Sequence, residues 1–167
     1  MFSFRHFGDI WSYKDIQQKL ISQASTAGDD TIRGFGDDDK IDAGAGNDIL
    51  IGLDGQDIYT WGRGDGYDQI REQSAYLAVD VGFGGLSFPD LADTIRFKDA
   101  NRAELIFARP TEAADLVITD TVTGETLTIF GQFAGFQTGS FGAQWLDRIE
   151  FFSFADGTRI SDRKSTR

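Results

Sequence analysis

Residues 25–60 read STAGDDTIR (25–33), GFGDDDKID (34–42), AGAGNDILI (43–51) and GLDGQDIYT (52–60), four consecutive rows of nine in which residue chemistry recurs along with length. The sixth place of each row is Asp (Asp30, Asp39, Asp48, Asp57), and the eighth is large and apolar (Ile32, Ile41, Leu50, Tyr59). A fifth row, RGDGYDQIR (63–71), returns Asp68 and Ile70 to those places after a two-residue shift at Trp61 and Gly62. Glycines at alternate places in the first half of a row permit a tight turn and close backbone approach, while the last three places, apolar at the centre, make a short strand. Turn plus strand, repeated, is a coil. Two rows complete one circuit, so row n lies over row n+2 at the strand spacing of about 4.8 Å, with the eighth-place side chains stacked inside.

The same stacking brings the sixth-place aspartates together. Two carboxylates about 4.8 Å apart repel by roughly 1 kcal/mol in bulk water and about 3 to 4 kcal/mol at an effective dielectric near 20, so the turns should not close without counterions. A divalent ion between stacked turns reverses the sign of that interaction. Ca²⁺ suits the place because it accepts six or more oxygens, including the carbonyls that glycines leave bare, in loose geometry. Mg²⁺ demands a tighter octahedron, and transition metals favour the His or Cys that the rows lack.

The rows resemble the GGxGxDxUx nonapeptide of RTX (repeats-in-toxin) proteins. The resemblance extends to GRGDGYDQI (62–70), DLVITDTVTGETLTIFGQF (115–133) and IEFFSFADGTRIS (149–161), which are similar to the region that follows the repeats in haemolysin-type calcium-binding proteins. WSYKDI (11–16) is similar to the start of that block. The resemblance implies an all-β fold: a parallel β-roll with an N-terminal capping helix and a C-terminal antiparallel β flank. It also implies about three Ca²⁺ ions, each between the second, fourth and sixth places of one row and the first, third and sixth of the row two further on. Carried over, the first site takes Gly28 and Asp30 with Ala43, Ala45 and Asp48. The second takes Asp37 and Asp39 with Gly52, Asp54 and Asp57, and the third takes Gly44, Gly46 and Asp48 with Asp65 and Asp68. Backbone carbonyls are the implied ligands everywhere except the sixth place. Thr26, Phe35 and Leu53 stand where the pattern has glycine, so weaker turns are expected there. Asp29, Asp38 and Asp42 read as solvated turn residues.

Composition agrees with a cation-binding role. The chain has 167 residues, enough for one domain with a real core, and a net charge of −11. Residues 25–71 alone hold 11 Asp against four Lys or Arg, a balance of 4 − 11 = −7, which repels nucleic acid and anionic membrane surfaces. No apolar run approaches the roughly 20 residues of a membrane span, and no secretory leader is evident at the N-terminus. There are no cysteines, which removes thiolate metal sites and cysteine nucleophiles.

Around the rows, residues 1–24 read as a flank with a helix over Trp11–Ala24. Ser12 and Asp15 have the capping-box spacing, Trp11 and Ile16 the staple spacing, and Ile16, Leu20 and Ala24 share one face that could cover the open end of the roll. Residues 72–162 read as a β-rich capping flank with strand patterns at 93–97, 104–108, 115–119, 126–133 and 148–154, a loop at 74–90, and turns at 123–125 and 156–157. Most of the 15 Phe lie there and read as core. Residues 163–167, RKSTR, read as a tail unlike the acidic export signal of RTX proteins, which points to a piece of a larger protein. No catalysis is expected: His6 is the only histidine, and Gly139, Ser140 and Gly142 imitate half a nucleophile elbow with no downstream base. The expected function is a calcium-binding module, secreted through a type I channel as part of a parent toxin, adhesin or enzyme, that folds in extracellular calcium. The alternative is a calcium-stabilised adhesin or carbohydrate-binding module.

Overall fold

The structure is a computed structural model that describes residues 11–72, 92–110, 114–133, 137–139, 142–144 and 148–161. The loop expected at 74–90, His6, Ser140 and the tail at 163–167 lie outside the described residues. One helix, α1 (Tyr13–Ala24), precedes strands β1 (Thr31–Arg33), β2 (Lys40–Asp42), β3 (Ile49–Ile51), β4 (Ile58–Trp61) and β5 (Asp68–Ile70), one per row. The flank adds β6 (Asp93–Phe97), β7 (Leu105–Ala108), β8 (Leu116–Asp120), β9 (Thr126–Ile129), β10 (Gln137–Gly139), β11 (Gly142–Gln144), β12 (Ile149–Ser153) and β13 (Arg159–Ser161).

Odd and even rows feed different sheets. One sheet has the order β1-β3-β5-β9-β8-β7 and the other β13-β12-β6-β4-β2. The repeat strands pair parallel two rows apart, Ile32 beside Leu50, Leu50 beside Ile70, and Ile41 beside Tyr59, so two rows make one circuit. Ile32, Ile41, Leu50, Tyr59 and Ile70 are fully buried in one continuous core. Period-2 alternation explains the burial, since a three-residue strand buries its central side chain and leaves the two beside it to the outer face.

The flank corrects one expectation, because it is not simply antiparallel. β6 pairs parallel with both β4 and β12, and β9 pairs parallel with β5, so the flank's own strands continue the two ladders of the roll. Among the described residues only the pairs β7–β8, β8–β9, β10–β11 and β12–β13 are antiparallel. The reason is the edge: β4 and β5 would otherwise end the roll with unpaired backbone. Phe97, Phe152 and Phe154 join the core, whereas Phe130 and Phe133 are exposed beneath the guanidinium groups of Arg71 and Arg109.

At the other end α1 packs on β1 and β2. Its capping box is formed as the sequence indicates: Ser12 Oγ accepts from the Asp15 amide and Asp15 Oδ2 accepts from the Ser12 amide. The buried face differs from the expected one. Gln17 and Ile21 face inward, while Ile16, Leu20 and Ala24 remain exposed. The helix is rotated so that the Gln18 amide meets the edge of β2, its Nε2 donating to Lys40 O (2.7 Å) and its Oε1 accepting from Lys40 N (3.1 Å). A side-chain amide thereby completes the strand edge as a neighbouring strand would.

Candidate metal centre

Because strands alternate between sheets, the turns form two columns. Turns 25–29, 43–47 and 63–67 stack in one, and turns 34–38 and 52–56 in the other. Within a column the backbones approach closely enough to require glycine. A Cβ on Gly46 (φ +141°) would lie 2.6 Å from Gly28 O, and one on Gly55 (φ +136°) 2.6 Å from Asp37 O. A Cβ on Gly66 (φ +102°) would overlap Gly46 O. Fourth-place carbonyls therefore point along the stack into the next turn.

The sixth-place aspartates form a second ladder. Asp48 Oδ1 accepts from Asp30 N (2.7 Å), Asp57 Oδ1 from Asp39 N (2.8 Å) and Asp68 Oδ1 from Asp48 N (2.8 Å). Their second oxygens differ. Asp30 Oδ2 accepts from Thr26 N (2.7 Å) and Asp39 Oδ2 from Phe35 N (2.5 Å), whereas Asp48 Oδ2 and Asp57 Oδ2 are buried without a hydrogen-bond donor. An unpartnered buried carboxylate oxygen is costly, and it marks a place for a cation.

Burial also resists ionisation here. Desolvation, reinforced by the stacked negative charges, pushes Asp57 and Asp68 up to about 7 and raises Asp39 and Asp48 as well. Without a cation, the stack holds acids that are expensive to charge.

At the first site Asp48 Oδ1 accepts from Asp30 N, and the turn of Gly28 stacks on the turn of Ala43 and Ala45, with Gly28 O against Gly46. There Ser25 Oγ lies 2.5 Å from Ala43 O. At the second site Asp57 Oδ1 accepts from Asp39 N, Asp37 O lies against Gly55 in the turn of Asp54, and Gly52 O lies 2.6 Å from where a Cβ on Gly34 would be. At the third, Gly44, Gly46 and Asp48 lie under Asp65 and Asp68. Asp65 O accepts from Gly46 N (2.9 Å), while its carboxylate holds Gly62 N (2.8 Å) and Lys98 Nζ (2.8 Å), so its side chain is engaged away from the column. Among the described residues no three Asp, Glu, His or Cys side chains converge as a metal cluster. A cation between these turns draws most of its oxygens from the main chain, which is hard-ligand chemistry suited to Ca²⁺.

Three features are not evident from the rows alone. Asp29 and Asp38, read as solvated, each accept the fifth-place amide two rows on: Asn47 N (2.8 Å) and Gln56 N (2.9 Å). Asn47 continues that ladder, its Oδ1 accepting from Tyr67 N (3.1 Å). Asp42 pairs with Lys98 (3.4 Å). Finally Asp93, in the flank, accepts from Asp57 N at 2.8 Å.

Residues 25–50 and 34–70 match the RTX calcium-binding nonapeptide repeat, in four copies. The chain carries RTX calcium-binding repeats. Residues 115–163 match the haemolysin-type calcium binding protein related domain, the segment that supplies β8 to β13. No curated protein matches the chain. The RTX turns are thus the stacked acidic turns described above, and the related domain supplies β9, which extends the sheet of β5, and β12, which pairs with β6 beyond β4. No helix among the described residues is long and apolar enough to cross a membrane.

Proposed function

We propose that the chain is a calcium-responsive folding module of a larger secreted protein, exported unfolded through a type I channel and folded on meeting extracellular calcium. It has a binding and folding role rather than a catalytic one. The observation that carries this reading is the pair of buried, donorless oxygens Asp48 Oδ2 and Asp57 Oδ2, in columns of turns whose fourth-place carbonyls face the next turn. When bound, Ca²⁺ supplies the positive charge that lets stacked carboxylates ionise in place. Extracellular calcium modules bind with dissociation constants of roughly 10⁻⁴ to 10⁻³ M. At tenfold excess each site adds about 1.4 kcal/mol, so roughly three sites add about 4 kcal/mol, enough to switch a marginal domain.

The test is circular dichroism of the chain in chelator, followed by calcium titration. A cooperative gain of β signal between about 0.1 and a few millimolar calcium is expected, with magnesium ineffective at the same concentration. A chain fully folded in excess chelator, or folded equally by the two ions, would contradict the proposal.

A further inference from the structure

We propose that residues 93–96 act as a sixth, degenerate coil, and that a fourth divalent-cation position lies between it and the fourth row, with Leu53, Gly55 and Asp57 below and Asp93 above. This rests on the reading of the repeat turns as carbonyl-and-carboxylate sites, and it extends that reading to a residue outside both matched segments.

The lower half of this position repeats the lower half of the third site. There Gly44 and Gly46 have φ +85° and +141°; here Leu53 and Gly55 have φ +82° and +136°. Leu53 keeps this left-handed geometry although it has a side chain. Asp48 and Asp57 each place Oδ1 on the sixth-place amide of the row below, and each has a buried Oδ2 with no donor.

The upper half matches too. Asp68 Oδ1 accepts from Asp48 N at 2.8 Å, and Asp93 Oδ1 accepts from Asp57 N at 2.8 Å. β6 continues from Asp93 in the register of a repeat strand, Ile58 beside Thr94 and Tyr59 beside Ile95, and Ile95 is fully buried in the eighth-place position. The sequence carries the same trace: DTIR occurs at 30–33 and again at 93–96.

The oxygens decide that residues 93–96 count as a row. Asp30 and Asp39, with a repeat row on one side only, have Oδ2 bonded to Thr26 N and Phe35 N. Asp48, between Asp30 and Asp68, has a donorless Oδ2. Asp57 has the same donorless oxygen, which fits a position between Asp39 and Asp93 and not at the end of a column.

Equilibrium dialysis with calcium on the full chain tests this. Wild type should bind about four ions, and Asp93→Asn, which keeps an oxygen for the Asp57 amide, about three, with unchanged β signal at saturating calcium. A wild-type count of about three, or a variant that loses no ion, overturns the inference and leaves the repeat sites standing. If Asp93→Asn does not fold, the wild-type count decides alone. A wild-type chain that binds no calcium overturns the reading of the repeats, and this position with it.

Discussion

Leu53, Thr26 and Phe35 all stand where the repeat pattern has glycine, yet only Leu53 takes a left-handed backbone. A non-glycine residue there costs roughly 1–2 kcal/mol, and glycine gives back about 0.5–1 kcal/mol in unfolded-chain entropy. Leu53→Gly should therefore raise stability by up to about 1 kcal/mol in saturating calcium, read as a higher thermal midpoint. Thr26→Gly and Phe35→Gly, which relieve no such strain, should lower it by at least about 0.5–1 kcal/mol, and Phe35→Gly by more, because its ring packs against the core. The three departures look alike as letters. What separates them is whether the second-place amide folds back onto its own aspartate, as at Thr26 and Phe35. That is a tertiary choice, illegible in a single row. The sixth- and eighth-place roles were legible because each recurs in five copies with one chemistry.

Among the elements, α1 shows where local reading stops. Its start was readable, because a capping box is a contact between Ser12 and Asp15 three residues apart. Its inward face was not, because Gln17 and Ile21 turn inward and the Gln18 amide docks on β2, while Ile16 and Leu20 stay exposed. Gln18→Ala should remove both bonds to the Lys40 backbone, cost about 1–3 kcal/mol, and speed hydrogen exchange at the Lys40 amide. Leu20→Ala, on the exposed face, should change stability by no more than about 0.5 kcal/mol. Equal effects of the two would mean that the helix covers the roll by apolar contact alone. The flank's parallel strands were missed for a related reason: β6 and β9 alternate apolar and polar like any half-buried strand, and direction is set by the edge that receives them.

For the whole molecule, the buried acids link folding to pH. Asp57 and Asp68 are pushed up to about 7 in the fold from an ordinary value of 3.8. Between those values the folded chain holds more protons than the unfolded one, so stability falls as pH rises. The stabilisation is complete below about 4 and is lost as pH climbs through about 7. The chain in chelator should therefore gain β signal on acidification from about pH 7.5 to 5. In calcium the trend reverses, because protons and calcium compete for the same oxygens, and the folding midpoint should move to higher calcium as pH falls. A chelated chain indifferent to pH would show that these carboxylates are not what holds the fold open.

The partition of odd and even rows between two sheets gives the chain a parity. Asp30 and Asp48, which meet across a turn, are 18 positions apart, and so are Asp39 and Asp57. Removing one row of nine, residues 43–51, would send every later strand to the opposite sheet and ask β6 and β9 to join ladders they do not fit. Removing two, residues 43–60, leaves β5 above β1 and β6 above β2, with a shorter roll between unchanged ends. The longer deletion should fold in calcium and the shorter one should not, which circular dichroism can decide. Growth or loss of such a roll over generations is then counted in pairs of rows, and a single nonapeptide is not a unit that can be exchanged.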